Sequence, residues 1–323
     1  NARENEPRRA RPMAAYLTLL ITAAIWGFAF VAQRKGMESL DPFTFNALRF
    51  GLGALCVWAF SLLPRIRDRK PGAANPGPGP RNSWKGPLLL GALLFVAVSF
   101  QQIGMLWTGA GSAGFITGLY VVFVPLIGLG RGQKLNSLMI VAVALSLAGL
   151  AFINGKPSLQ ATLGNALVLV GAVFWALHVQ LIDKLTKTRS SLRLARIQYW
   201  LCALLSLAGS LIYRAAVRKP VWDLALWKSI QAAGLPLLYA GIMSVAVAFT
   251  LQLHAQKKVQ PHAASVILCL EGAFAMFGGW LLLGEKVSAS ALLGAALLLA
   301  AMLVSVSRER REFLIDKKTL PKT

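Results

Sequence analysis

Long apolar runs constrain this chain more than anything else in it. About ten stretches of roughly 18 to 22 residues are almost purely apolar, and short clusters of Arg, Lys, Gly and Pro separate them. A hydrocarbon core about 30 Å thick is crossed by about 20 helical residues rising 1.5 Å each. Charged residues make up 14% of the chain and hydrophobic ones 56%, whereas a soluble domain keeps roughly a quarter of its residues charged. The sequence therefore predicts an all-α membrane protein with many spans.

Ten transmembrane helices are expected, at 16–33, 44–63, 87–107, 110–129, 136–153, 163–183, 193–213, 233–255, 262–283 and 288–307. Arg8, Arg9 and Arg11 before the first run look like the start of a signal peptide. No small-residue cleavage site follows them, and the run is long enough to span, so it is read as a helix. Lys and Arg number 34, of which 24 fall at the two ends of the chain and in alternate loops, against 8 in the opposite loops. The excess of positive charge on one side predicts both termini in the cytoplasm, with the inner (plasma) membrane as the location. The Pro- and Gly-rich segment 65–86 is expected to be a mobile cytoplasmic loop. Segments 1–15 and 308–323 are expected to be cytoplasmic ends, the latter solvated with a polybasic contact to anionic lipid as the second reading.

Net charge is +22, but the basic residues lie between membrane runs rather than on one soluble face, so topology explains them and a nucleic-acid partner is not expected. Cys56, Cys202 and Cys269 all sit inside apolar runs with no CxxC pair or Cys/His cluster. Neither a disulfide framework nor a metal site is indicated, and no cofactor is expected.

The chain repeats itself. Ile25-Trp26 and Lys35 align with Phe174-Trp175 and Lys184 at an offset of 149, and the same offset aligns VAVSF at 96–100 with VAVAF at 245–249. After a three-residue insertion, Gln133-Lys134 aligns with Glu285-Lys286. The halves are 16–154 and 155–307, with five helices each. An odd number of spans makes the second copy enter the membrane from the opposite side. Inverted repeats of this kind belong to transporters, where two similar halves exchange conformations about a shared site.

Several segments resemble the EamA group of the drug/metabolite transporter superfamily: AAIWGFAFVAQRKG at 23–36, LRF at 48–50, SAGFITGLYVVFVPL at 112–126 and AQKKVQPHAASVILCLEGAFAMFGGWLLLGEK at 255–286. The resemblance covers 16–307. It implies ten helices in two inverted five-helix repeats and a central cavity lined by spans 1, 3, 4, 6, 8 and 9. It also implies export or exchange of small metabolites. The first half carries Gly132-Gln133-Lys134 where the second has Gly284-Glu285-Lys286, so the two ends of the cavity are chemically unequal.

Polar residues inside the runs are few, and in a bilayer each must face a neighbour or a wet cavity. Glu271 lies nine residues into its span, roughly 13 Å deep at 1.5 Å per residue. An acidic group there costs about 2.5 to 3.5 kcal/mol unless compensated. It is read as a proton carrier, as an anchor for a cationic or amino-bearing substrate, or as a structural hydrogen-bonder. His178, one turn after Trp175, is either a proton relay or a neutral ring bonded to backbone. Trp26 and Trp175 are repeat mates that can wall a cavity by stacking and cation–π contact, or simply pack their helices. Gln101, Gln102 and Gln252 suit a zwitterionic ligand, and Thr117 with Tyr120 forms a polar stripe opposite Glu271. Arg49 and Asn46 are placed near the outer entrance, where snorkelling to head groups is the default and binding a substrate carboxylate the alternative. His254 and His262 are expected to see water, and Pro125 is expected to kink the fourth span.

The residues fit a secondary transporter for a small-molecule substrate, with lipids as surroundings and protons as one option for coupling. A membrane enzyme would need a catalytic motif at the interface, and the sequence has none. A channel would need rings of like groups or a carbonyl filter, and no Walker A motif points to ATP. A channel-like or uncoupled facilitator is the alternative kept open.

Overall fold

A computed structural model describes residues 12–62, 83–133, 137–153, 159–218, 220 and 222–319. The expected N-terminal segment (apart from residues 12–15), nearly all of the loop at 65–86 and the boundary between the halves at 154–155 lie outside the described residues. The first half contains α1 (Pro12–Gly36), α2 (Pro42–Leu62), α3 (Lys85–Gly104), α4 (Ala110–Thr117), α5 (Tyr120–Leu129) and α6 (Ser137–Ile153). The second opens with α7 (Leu159–Thr186), α8 (Ser191–Ala216) and a short α9 (Leu224–Ala232). It continues through α10 (Gly234–Leu238), a π-helix π1 (Tyr239–Phe249), α11 (Thr250–Ala255), α12 (Pro261–Leu268), α13 (Glu271–Leu283) and α14 (Ala289–Thr319). No strand occurs among the described residues.

Eight helical segments among the described residues are long and apolar enough to cross a membrane. They coincide with eight of the ten expected spans. The expected spans 136–153 and 288–307 coincide with shorter apolar helices, Ser137–Gly149 and Ala289–Val304. The helix α14 continues to Thr319, so the expected tail is helical over most of its length. Leu17, Ile21, Phe60, Leu204 and Ile212 are among the large apolar side chains on the outside of the bundle, a surface suited to lipid tails rather than water.

Three spans depart from a plain α-helix. The fourth and the ninth are each interrupted by a tight turn, at Gly118–Leu119 and at Cys269–Leu270. Both turns keep right-handed helical backbone and close i→i+3 bonds, such as Leu119 N–H to Ile116 O at 3.1 Å and Leu270 N–H to Ile267 O at 3.3 Å. This is 3₁₀ geometry inside a longer helix, a recurring mark of functional hinges. Pro125, expected to kink the fourth span, lies instead inside the continuous α5; the break falls earlier, at Gly118. The eighth span runs for 11 residues as π1. Its mate α3 holds the near-identical VAVSF and is α-helical throughout.

The halves pack as exchangeable units. α2 runs along α8, α6 along α14, and α4 against α13. α3 packs on α7 just as π1 packs on α1, and α1 lies on α13 as α4 and α5 lie on α7. Exchanging first-half spans for second-half spans turns each pairing into another of the same set. The cap glycines obey the same rule: Gly132 (φ +78°) and Gly284 (φ +68°) both close their spans in the left-handed region, where a side chain is penalised. Just beyond them the halves differ. Glu285 packs its carboxylate against Gly109 and Gly111 at the start of α4, close enough that a Cβ at either glycine would come within 3.4 Å of its oxygens. Gln133 instead exchanges hydrogen bonds with Gln180 at 3.2 Å.

Helix starts are held locally. Asp41 accepts from the Phe43 and Thr44 N–H groups at 3.0 and 2.9 Å ahead of α2, the N-cap role short acidic side chains favour. Asp223 accepts from Leu226 N–H at 2.6 Å and pairs with Arg214 at 3.4 Å. That cap starts α9, which has no buried residue and carries Trp227, whose ring lies 6.1 Å from that of Trp222 just ahead of the helix.

Candidate functional site

A cavity lies at the seam between the two halves. The first half contributes Trp26, Ala29, Phe30 and Gln33 from α1, Arg49 from α2, Val98 and Gln101 from α3, and Thr117 and Tyr120 from the two sides of the first 3₁₀ turn. The second half contributes Trp175 and Val179 from α7, Ser244 and Phe249 from π1, Gln252 from α11, and Leu268 and Glu271 from the two sides of the second turn. Both helices are thus interrupted where they meet the cavity. Spans 1, 3, 4, 6, 8 and 9 line it, and span 2 joins them through Arg49.

Aromatic rings form the apolar wall. Phe249 is the hub, 4.6 Å from Trp26, 5.7 Å from Trp175 and 6.2 Å from Phe50, centroid to centroid. The repeat mates Trp26 and Trp175 lie 6.3 Å apart. Both tryptophans also spend their single donor inside the protein. Trp26 Nε1–H reaches Ser244 O at 3.3 Å, a carbonyl of the π segment, and Trp175 Nε1–H donates to Gln101 Oε1 at 2.8 Å. Gln101 passes the chain on, donating to Gln33 Oε1 at 3.3 Å, and Gln33 donates to Ala29 O at 3.1 Å. The wall is therefore pre-organised, which lowers the ordering cost of any ligand that lies against it.

The polar face is the reverse: its atoms lack protein partners. Thr117 Oγ1, Tyr120 Oη, Gln252 Oε1, Glu271 Oε1 and Arg49 Nη2 are all buried without a hydrogen bond. Tyr120 and Glu271 are within mutual reach, yet neither Tyr120 Oη nor Glu271 Oε1 completes a hydrogen bond of ordinary geometry. Buried polar groups in proteins are nearly always bonded, so five orphaned atoms around one cavity point to a site that expects a polar guest.

Arg49 differs from the expectation of a snorkelling entrance residue. Only 2% exposed, it points into the bundle, with Nε–H donating to Asn46 Oδ1 at 2.9 Å and its guanidinium over the Phe50 and Phe45 rings at 4.8 and 5.8 Å. Asn46 is buried and orients it rather than lining the cavity. The eighth residue of its helix is about 12 Å in at 1.5 Å per residue, and the two aromatic faces give the cation a place there.

Two expected residues stand behind the cavity. His178 is fully buried, packed edge-on to Trp175 at 5.6 Å and bonded through Nε2 to Gln198 Oε1 at 2.9 Å. Gln102 is buried with neither amide atom bonded and does not reach the cavity. His254 is exposed, whereas His262, expected to see water, is 4% exposed, because it starts α12 inside the bundle. Phe249 and Ser244 were not anticipated. The repeated VAVSF and VAVAF stretches held the signal, since the mate Phe100 stacks on Phe174 at 6.0 Å while Phe249 turns inward. Among the described residues no group of three His, Cys, Asp or Glu side chains is arranged to hold a metal.

An all-helical membrane bundle, folded from two like halves around a small central cavity, is the architecture of a transporter. The chain matches the EamA-like transporter family over residues 13–155 and again over 162–307, and it belongs to that family. It is 27% identical over 291 residues to an uncharacterized transporter of Archaeoglobus fulgidus, covering 90% of this chain and 85% of that one. It is 25% identical over 289 residues to the uncharacterized transporter YoaV of Bacillus subtilis, covering 87% and 93%. A crystal structure of a protein superposes with a TM-score of 0.66 at 17% identity, covering 93% of this chain and 98% of the other. That likeness concerns the fold.

Proposed function

We propose that the chain is an alternating-access secondary transporter that exports or exchanges a small organic metabolite, amino acid-like or related, across the inner (plasma) membrane. In this reading it is not an enzyme. It has ten spans in two inverted five-helix repeats, 16–154 and 155–307, with segments 1–15 and 308–323 in the cytoplasm. One observation carries the proposal: a cavity at the seam of two exchangeable halves, lined by buried polar atoms without partners. Symmetry-related helices that meet a shared site allow the protein to open at one end and then at the other. Trp26, Arg49, Gln101, Thr117, Tyr120, Trp175, Gln252 and Glu271 contact the substrate, while Asn46, Gln102 and His178 support them from behind. Glu271 is the group through which protons would couple.

Counterflow in liposomes tests the reading. Vesicles holding purified protein are preloaded with a mixture of protein amino acids, amines and sugars, then diluted into trace radiolabelled members of the same mixture. An alternating carrier concentrates at least one label transiently inside. A channel-like facilitator equilibrates labels without overshoot, and that result would replace this reading with the alternative. If Glu271 couples protons, Glu271→Gln loses uptake driven by a pH gradient and keeps exchange; unchanged gradient dependence removes the coupling role.

A further inference from the structure

The exposed face of α8 is graded along its length. Arg193, Arg196, Trp200, Leu204 and Leu207 recur three or four residues apart, so they share one side of the helix, and all five are exposed. Two guanidiniums come first, then an indole, then aliphatic side chains. Leu207 lies 11 residues beyond Arg196, roughly 16 Å at 1.5 Å per residue, close to one leaflet of a core about 30 Å thick. That order is the order of a phospholipid: phosphate, glycerol esters, acyl chain.

The basic end is held in place. Arg193 Cζ lies 5.3 Å from the centroid of the exposed Trp84 ring, just ahead of α3. Arg189 Nη2–H donates to Ser83 O at 2.7 Å, and Arg196 Nη1–H reaches Ser61 Oγ at 3.4 Å near the end of α2. Three helix ends meet around these side chains, and the contacts use few of the five N–H donors that each guanidinium carries. No acid on these helices answers them. Segments 42–62, 83–104 and 191–216 contain no Asp or Glu, and Asp183 on α7 is already paired with Lys187 at 2.7 Å. Arginines that merely snorkel to water need no fixed seat; these have one, with donors to spare, where headgroups lie.

We propose that this corner binds the phosphate of an anionic phospholipid, with Arg193 and Arg196 donating to its oxygens. Trp84 and Trp200 sit at the depth of the glycerol esters, as tryptophans do at membrane interfaces, and one acyl chain runs along Leu204 and Leu207. Planar guanidiniums suit a phosphate diester through paired N–H···O bonds, and basic pockets between spans are a recurrent seat for anionic headgroups. A zwitterionic headgroup brings its own cation towards the same arginines and is disfavoured by repulsion. On the expected topology this is the cytoplasmic leaflet. α8 packs on α2 and α3, so the lipid lies on the outer wall of the bundle, and the site stands whatever the cavity carries.

Native mass spectrometry of the full chain tests this, with palmitoyl-oleoyl phosphatidylglycerol (POPG) and the matching phosphatidylethanolamine (POPE) titrated into the detergent. The first POPG is expected to bind about five-fold or more tightly than the first POPE. Arg193→Gln combined with Arg196→Gln is expected to weaken POPG about ten-fold or more and to remove the preference. POPE binding stays that of the parent, which serves as the internal control of fold. Lys228→Gln, an exposed charge on α9 beyond the other end of α8, leaves both lipids unchanged. Arg193→Lys keeps the charge without the planar fork and falls between the parent and the double variant. The idea is overturned if POPE binds as tightly as POPG, or if the double variant weakens both lipids alike or neither. Displacement of POPG by an equal concentration of glycerol phosphate would overturn it by giving the site to a small phosphate. A dimer of the chain that the double variant abolishes would overturn it by giving the face to a second copy.

Discussion

Gly27 on α1 offers the sharpest test of the packing around the cavity. A Cβ at this position would lie 2.8 Å from Ala275 N and 2.8 Å from the Glu271 carbonyl oxygen. Both are backbone atoms of α13, so no side chain can swing aside. To bring these from 2.8 Å to the 3.4 Å of ordinary contact, α1 and α13 must part by at least 0.6 Å beside Glu271, and Phe274 Cβ, nearer still to the added methyl, demands more. Forcing a methyl into a packed contact of this kind costs about 1 to 3 kcal/mol, and close backbone approach at small residues is a main source of helix association in lipid. Against this stands the gain from replacing glycine within a helix, about 1 kcal/mol. Gly51 on α2 isolates that gain, since a Cβ there meets nothing within 4 Å. Helix propensity cancels between Gly27→Ala and Gly51→Ala, which leaves the clash as the difference, about 1 to 3 kcal/mol. Reversible unfolding in mixed SDS micelles measures both variants against the parent. Gly27→Ala is expected to unfold at lower SDS than Gly51→Ala, with Gly51→Ala at or above the parent. Equal midpoints for the two would refute the backbone contact between α1 and α13.

The remaining expectations use other parts of the bundle. His178→Phe leaves Gln198 without its partner and should destabilise by about 1 to 3 kcal/mol in the same assay, while the pH dependence of counterflow stays that of the parent; a changed pH profile would return His178 to a proton-relay role. Gly132→Ala and Gly284→Ala each place a side chain in the left-handed region, at about 1 to 2 kcal/mol, and as repeat mates they should cost alike within about 0.5 kcal/mol. Asp223→Ala removes the cap of α9 and the partner of Arg214, worth about 1 kcal/mol locally. Hydrogen exchange over 224–232 should accelerate while the rest of the bundle keeps its protection.

Most of the architecture was legible because the bilayer imposes a length. Ends of apolar runs, basic clusters and the 149-residue offset located the helices and the duplication. What escaped is what apolarity does not record. The turn at Cys269–Leu270 sits in the middle of a greasy run with no glycine or proline to mark it. The π segment escaped for a stronger reason, since VAVAF winds one way and VAVSF the other, so tertiary contacts decide between them. Within the site, Glu271 stood out because a carboxylate in that setting has few explanations. Arg49 was misjudged because depth along a helix was readable and the face it presents was not; Phe45 and Phe50 let a guanidinium turn inward. Phe249 looked like any other ring in an apolar helix.

The unequal caps have a consequence for where the protein rests. Two identical halves would make the ends of the cavity interchangeable, and the states open at one end or the other would be equally populated. The halves are not identical: Glu285 sets a carboxylate against the start of α4, while Gln133 offers a neutral amide to Gln180. On the carrier reading, each such difference contributes to the free-energy gap between the two states, and about 1.4 kcal/mol of gap moves their ratio ten-fold. Glu285→Gln makes the caps chemically alike. Its signature would be a redistribution between two conformers, visible as altered cysteine accessibility at the two ends, with the cavity itself unchanged. On the carrier reading, the duplication supplies the two states, and the Glu285 carboxylate is one contribution to the preference between them.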